Sequence, residues 1–196
     1  MNFHRNSQKR IYDDEFTYSV VVATADRVPF FREEILCKLW TRELQICKNL
    51  KQFELYAFCL NYDHFHLLLN PREANLSEIM RSLKTNFSRN ANRILGFSKM
   101  FEGISSEKAR SRDLAFGVLE DFATIKILRK KFIEKYGKQS PFPKFKWQKS
   151  FHDHFTRDDR DFENQSNYVI FNYLKHSLPK DWKYTSLNFP SLLDMS

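Results

Sequence analysis

Residues Phe16 to Ala23 read FTYSVVVA, a run rich in β-branched and aromatic side chains with Tyr18, Val20 and Val22 on one face, and they predict a strand. Past Pro29, apolar residues Ile35, Leu39, Ile46 and Leu50 recur near helical spacing with Trp40 and Leu44 alongside, so a helix is expected to about Leu50. Phe53 to Leu60 and His64 to Leu69 read as two more strands, and the short polar break Asn61-Tyr62-Asp63 between them predicts a hairpin. Pro71 closes the second of these. Asn75, with Glu78 three residues on, has the form of a capping box. Leu76, Ile79, Met80, Leu83, Phe87, Ala91 and Ile94 then form the apolar stripe of a helix ending near Gly96, with Arg81, Lys84, Ser88, Arg89, Asn92 and Arg93 over much of the rest.

The pattern is less regular from 97 to about 149. A helix is expected from about Ser106 to Tyr136, with a break near Gly117, and Pro141 and Pro143 predict an extended connection. A short strand follows near Ser150 to Thr156. A helix from about Asp161 to Ser177 stops before Pro179, and the remaining residues read as a packed tail. Without the middle segment the order is β-α-β-β-α-β-α. That predicts an α+β fold: a ferredoxin-like split β-α-β antiparallel sheet with helices packed on one face and the other face open to a ligand. The chain is read as a single domain, 1–196, with a helical insertion at 97–143.

Composition narrows the classes. Thirty-two Lys and Arg against twenty-four Asp and Glu give a net charge of +8, which favours a polyanionic partner. The segment Lys126 to Lys149 holds nine Lys or Arg against Glu134 alone, so the excess is concentrated there. No GxGxxG or GxxxxGK[ST] motif is present, which argues against dinucleotide and P-loop chemistry. Cys37, Cys47 and Cys59 form no CxxC pair, and the expectation is three buried free thiols. The first residues are polar and basic, with no apolar signal region. No stretch approaches the roughly eighteen apolar residues of a membrane span. The expected location is the cytoplasm, with the nucleoid.

Two places carry chemistry. In His64-Phe65-His66, strand alternation points both imidazoles one way and Phe65, Leu67 and Leu69 the other, so two metal-binding rings stand together outside the core. On the last predicted helix, Tyr168 and Asn172 are four residues apart and share a face, with Lys175 and His176 further along nearly the same side. Val169, Tyr173 and Leu174 are the residues available to pack toward the sheet. His152 and His154 form a second alternating pair, read as structural or substrate-contacting. Composition alone cannot single out one tyrosine among eight.

The phrases LNYDHFHLLLN, LSEIMRSLKTNFSRNAN and WQKSFHDHFTRDDRDFENQSNYVIFNYLKH, in that order, resemble the histidine motif, the following helix, and the strand with catalytic helix of the HUH single-tyrosine transposases. Within them the chain is most similar to the REP-associated tyrosine transposases, relatives of the IS200/IS605 enzymes, over roughly residues 15 to 95 and 144 to 187. The resemblance implies that His64, His66 and Asn172 hold a metal ion, Mg2+ or Mn2+, with the two histidines leaning toward manganese. It implies that Tyr168 attacks a phosphodiester of single-stranded DNA, leaving a 5′-phosphotyrosine and a free 3′-OH that later permits strand transfer. Recognition of a DNA hairpin beside the cleavage point is implied as well.

Arg81, Lys84, Arg89 and Arg93 are candidates for backbone phosphate contacts, against an ordinary solvated helix face. Lys130, Lys131, Lys146 and Lys149 in the basic run are further candidates, as is Lys175 beside the scissile phosphate. The chain departs from the family in three places. Tyr62-Asp63 stands where proline and asparagine commonly precede the histidine pair. Tyr173 stands where proline usually follows Asn172. The 97–143 stretch is longer than usual. These departures motivate a competing reading, a non-catalytic DNA- or RNA-hairpin-binding protein on the same scaffold. An RRM-like variant would use Tyr56 and Phe58 as a base-stacking pair on one strand. A monomer is favoured, with a homodimer as the other expectation.

Overall fold

A computed structural model describes residues 16–100 and 115–194. Strands β1 (Tyr18–Ala23), β2 (Glu54–Leu60), β3 (His64–Asn70) and β4 (His152–Phe155) form one antiparallel sheet in the order β2-β3-β1-β4. Helices α1 (Glu34–Lys51) and α2 (Leu76–Leu95) connect them in the expected split β-α-β manner, and α3 (Ala115–Tyr136) lies against α2. The last helix is two pieces, α4 (Asp159–Ile170) and a single turn α5 (Asn172–Lys175). The mixed α+β fold is the one the pattern predicts.

Alternation along the strands separates two cores. Tyr18, Val20 and Val22 of β1 and Phe65, Leu67 and Leu69 of β3 face α1 and α2, where Leu36, Leu39, Trp40, Ile79, Met80, Leu83 and Phe87 are buried. Each such side chain contributes about 1.5–3 kcal/mol by leaving water. On the other face Ala57, Cys59 and Leu68 meet Val169, Tyr173 and Leu178. The second face, expected to be open, is therefore covered by α4 and α5 across β2 and β3, because the last helix buries Val169 and Tyr173 there. Val169 and Tyr173 pack there as anticipated, but Leu174 does not and stays 48% exposed.

A β-bulge at Tyr56 changes one expectation. The pairing steps from Leu55↔Leu69 to Ala57↔Leu68, so Tyr56 is an extra residue and the strand's alternation resets there. Tyr56 then packs on Phe162 of α4, ring centroids 5.2 Å apart, while Phe58 enters the main core against Trp40. The two cannot form one base-stacking pair.

Helix ends follow local chemistry. Asn75 caps α2 by accepting from Ser77 N at 2.9 Å, and Gly96 ends it in the left-handed region, φ 90°. Glu33 caps α1 by accepting from Ile35 N at 3.0 Å, and its buried carboxylate also receives Lys135 Nζ at 2.8 Å and the Tyr136 hydroxyl at 2.5 Å, tying α3 to α1. Helix α3 runs through Gly117 without a break; the expected portion over 106–114 lies outside the described residues. Ile125, Leu128 and Phe132 of α3 join the main core. Asn92, assigned by pattern to the polar side of α2, is buried. Its amide accepts from Phe145 N at 2.8 Å and donates to Phe145 O at 3.1 Å, which fastens the 143–149 connection to the helix.

The tail is packed, as expected. Leu60 N donates to Tyr184 O, Thr185 bridges Cys59, and Asp194 accepts from Leu55 N at 2.8 Å and from Lys48 at 3.0 Å. All three cysteines are free and buried. Among the described residues no helix is long and apolar enough to cross a membrane.

Candidate active site

The site lies on the second face, at the end of β3 that begins the strand. Backbone bonds fix the preceding loop: Asn61 N to His64 O at 2.8 Å, Phe31 N to Tyr62 O at 2.9 Å, and Thr24 N to Asp63 O at 2.8 Å. His66 stands in a cross-strand row between Val21 and Cys59, and His64 pairs with Ala23. Both imidazoles are 3% exposed, with their rings 5.1 Å apart.

The His64 ring is oriented from both sides. Its Nδ1 lies 2.6 Å from Asp63 Oδ1; an ionised carboxylate only accepts, so Nδ1 carries the proton and Nε2 is bare. Asn61 Nδ2 then donates to His64 Nε2 at 3.0 Å and to Asn172 Oδ1 at 2.8 Å. Burial lowers the pKa of His64, opposed by Asp63, and the ring is neutral. Burial pushes His66 down to about 3, helped by the nearby His64, His176, Arg27 and Lys175. Among the described residues neither nitrogen of His66 has a hydrogen-bond partner, and neither does Asn172 Nδ2. Leaving such buried atoms unsatisfied costs about 1–3 kcal/mol, a cost that a bound cation would offset. The residues present fit a divalent ion.

Helix α4 brings the remaining groups. Asp158 caps it by accepting from Asp161 N at 2.8 Å, and Asp161 also accepts from Arg157 N and faces His154 Nε2, both at 3.2 Å, which anchors the helix to β4. This gives His154 a structural role. With the helix seated by Val169, Tyr168 falls over the histidines, its ring centroid 5.5 Å from that of His66, and it remains 39% exposed. Lys175 Nζ lies 4.2 Å from the centre of the Tyr168 ring. The helix ends at Ile170 and turns through Phe171 (φ −98°, ψ 11°) into α5, where the pattern predicts a continuous helix to Ser177. That turn leaves Asn172 wholly buried beside Asn61.

Three residues of the site receive no role from the sequence pattern. His176 stacks edge to face on His64, centroids 4.5 Å apart, and one nitrogen from each of His64, His66 and His176 lies within 4.8 Å of the others. Its position four after Asn172 is the available signal. Asp63 and Asn61 hold the first imidazole; their polarity in an otherwise apolar hairpin is visible, but their targets depend on the loop's fold. Tyr62 packs edge to face on Trp182 of the tail with Arg32 over its ring at 5.1 Å, so the altered flank is accommodated by tertiary contacts.

The basic candidates divide. Arg81, Lys84, Arg89 and Arg93 are on α2, and Lys130 and Lys131 on α3, in the helix layer across the sheet from the histidines. Lys84 donates to Gln148 O at 2.9 Å and Lys149 O at 3.4 Å, Arg89 to Asn86, Arg93 to Asn90 Oδ1 at 2.8 Å, and Lys130 pairs with Glu134. These bonds stabilise α2, α3 and the 145–149 connection, and none of the six joins the site. Lys146 and Lys149 are exposed and lie along the β4 edge, Lys146 O accepting from Ala25 N two residues beyond the His64 partner Ala23. Lys175 alone of the nine stands over the tyrosine.

A sequence profile described as "Transposase IS200 like" matches residues 13–103. A protein of Haemophilus influenzae described as a REP-associated tyrosine transposase is 25% identical over 186 residues, 90% of this chain and 85% of that one. A solved REP-associated tyrosine transposase bound to a REP hairpin superposes with a TM-score of 0.55 at 17% identity, covering 91% of this chain and 80% of the other. A transposase of Deinococcus radiodurans gives 0.42 at 14% identity, over 89% and 98% of the respective chains. The histidine pair on β3, the matched profile and the Haemophilus relative all point to the REP-associated group of the IS200-like, HUH single-tyrosine transposase family, and the hairpin-bound structure shares its fold.

Proposed function

We propose that this protein cleaves single-stranded DNA and transfers the strand through a 5′-phosphotyrosine on Tyr168, at sites flanked by a hairpin. The observation that carries this reading is the exposed Tyr168 ring standing 5.5 Å from buried His66. The Tyr168 oxygen bonds to phosphorus as the bond from phosphorus to the 3′ oxygen breaks; the phenolic proton passes to solvent and the departing 3′ oxygen takes one up. The reverse attack by a 3′-OH restores a phosphodiester and frees the tyrosine, so no nucleotide hydrolysis is needed. Magnesium or manganese held by His64, His66 and Asn172 supplies, when bound, a Lewis acid on the attacked phosphate. Lys175 adds a fixed positive charge beside the nucleophile, where the transition state accumulates negative charge.

Other elements fit the same reading. Asp63 keeps the proton of His64 on Nδ1 and so keeps Nε2 available for coordination. Lys146 and Lys149 are proposed to track backbone phosphates along the β4 edge. The 97–143 segment is proposed as an insertion in a single 1–196 domain that selects which DNA structure is bound, and the active form as a monomer associated with the nucleoid. Incubation with single-stranded hairpin DNA and Mn2+ tests the proposal: a covalent protein–DNA adduct is expected, absent in Tyr168→Phe and in metal-free buffer. Tight hairpin binding with no adduct under either metal would favour a binding protein on the same scaffold.

A further inference from the structure

The family resemblance supplies two histidines and an amide for the ion, yet the geometry around them is arranged differently. The Asn172 oxygen, expected as the third donor, is engaged by Asn61 Nδ2 at 2.8 Å. The same amide group faces His64 Nε2 at 3.0 Å. His66, in contrast, is buried with two unpartnered nitrogens, and the group that completes a cluster with it and His64 is His176. One nitrogen from each of the three rings lies within 4.8 Å of the other two. Ligand bonds of roughly 2.1 Å to a common ion bring donors to about 3–3.5 Å of one another. Closing that difference needs a shift of at most about 1.3–1.8 Å, and His176 is the exposed ring of the three.

The local sequence explains why the third ring is available. The residue after Asn172 is Tyr173, and after the turn at Phe171 the chain completes one helical turn, Asn172 to Lys175, anchored by buried Tyr173. That turn carries the backbone back to the histidines and leaves His176 as its C-cap, with its ring against His64. A proline at 173 would replace the Tyr173 side chain that Ala57, Cys59 and Leu68 hold in place.

We infer that His176 is a direct ligand of the ion, so that the site is a three-imidazole set selective for imidazole-seeking divalent metals over magnesium. The inference rests on the reading above that the histidine pair holds the ion, and it deepens that reading by fixing the metal class. Three neutral nitrogen donors suit manganese, cobalt and nickel increasingly well, and zinc also. Mg2+ favours oxygen donors in strict octahedral array and retains its waters. Asp63 then positions His64 through Nδ1 while Nε2 meets the ion, and Asn61 keeps its bond to Asn172.

The test uses the full chain with Co2+ as a spectroscopic probe and Mg2+ as its comparison, each titrated without DNA. Wild type is expected to bind Co2+ tightly with a visible d–d band typical of nitrogen ligation, and Mg2+ far more weakly. His176→Ala should lower Co2+ affinity at least ~10- to 100-fold, the range produced by losing even an outer partner of a ligand, and change the band; its Mg2+ affinity should hardly move. His176→Asn should keep the fold while losing the same cobalt affinity, and circular dichroism of both variants should match wild type. Unchanged cobalt affinity and band in His176→Ala, or a wild type that binds no Co2+, would overturn the assignment. The two readings fail separately. Co2+ binding through His176 without any DNA adduct leaves the ligand assignment standing and removes the reaction, whereas an adduct in a variant with unaltered cobalt binding does the reverse.

Discussion

Asn61 Nδ2 sits between His64 Nε2 and Asn172 Oδ1, 3.0 and 2.8 Å away, so one amide group satisfies two acceptors that an ion would otherwise take. The hydrogen bonds hold the β2–β3 hairpin and the last helix in register across the second face of the sheet. Removing the amide therefore separates structural support from coordination. Asn61→Ala is expected to destabilise the metal-free protein by about 1–3 kcal/mol, because both acceptors are buried and left unmatched. Denaturant unfolding with and without Mn2+ measures it. The loss should shrink when the metal is present; an equal loss under both conditions would count against the idea that amide and ion serve the same acceptors.

Binding of an ion to the folded state alone raises stability by mass action. At one hundred times its dissociation constant, Mn2+ should add about 2.7 kcal/mol to wild type and raise its melting temperature. His66→Ala should abolish most of that increment, since His66 offers two nitrogens with no other partner. Thermal melts across a Mn2+ series, compared with the same series after chelation, provide the readout. A wild-type melting temperature indifferent to manganese would contradict it.

Lys175 holds its ammonium 4.2 Å from the centre of the Tyr168 ring. Its role in the proposed reaction is charge at the reacting phosphate. Lys175→Ala should slow adduct formation about 10²-fold or more, the order of loss for one preorganised group at a reacting centre, and leave hairpin affinity much less changed. Single-turnover rates set beside binding curves distinguish these. Equal losses in both would reduce Lys175 to a general DNA contact.

Glu33 gives the fold a defined acid response. Burial would raise its carboxyl, but Lys135, Tyr136 and the Ile35 N–H outweigh that and hold it below the usual carboxylate range. A carboxyl depressed in the folded state contributes stability that is complete above the unfolded value, near 4.5, and is lost as pH falls through the folded value. Wild type should lose stability over that acid window more steeply than Glu33→Gln. The variant should already be weaker at pH 7, by about 1–3 kcal/mol, having lost the carboxylate that ties α3 to α1. Unfolding midpoints from pH 7 down to pH 3 would show parallel curves if the carboxylate carried no such load.

The alternation in Tyr18 to Ala23 and His64 to Leu69 is enough to place the sheet, its first core and both histidines, because strand period depends only on neighbouring residues. The α2 stripe from Leu76 to Ile94 is legible for the same reason. Tyr56 escapes the pattern since a bulge resets alternation without a mark in composition. Asn92 reads as part of a polar helix face and Lys84 as a candidate phosphate contact; their real partners are the backbone atoms of Phe145, Gln148 and Lys149, more than fifty residues away in sequence, and only the folded chain brings those together. Spacing puts His176 on the right side of the helix, but its approach to His64 depends on the turn at Phe171, which no spacing rule contains. The proposed nucleophile is chosen through family likeness, and no local sequence property of Tyr168 separates it from Tyr173.

That last pair offers the most direct test of the central claim. Tyr168 and Tyr173 fall on one tryptic peptide, bounded by Arg160 and Lys175, the first 39% exposed over the histidines and the second 6% exposed in the second core. Peptide mapping by tandem mass spectrometry of the DNA adduct formed in Mn2+ locates the phosphoryl oligonucleotide. Attachment through a 5′ phosphate on Tyr168 is the predicted result; attachment to Tyr173 or any other residue, or DNA cleaved with no covalent link to the protein, would contradict it.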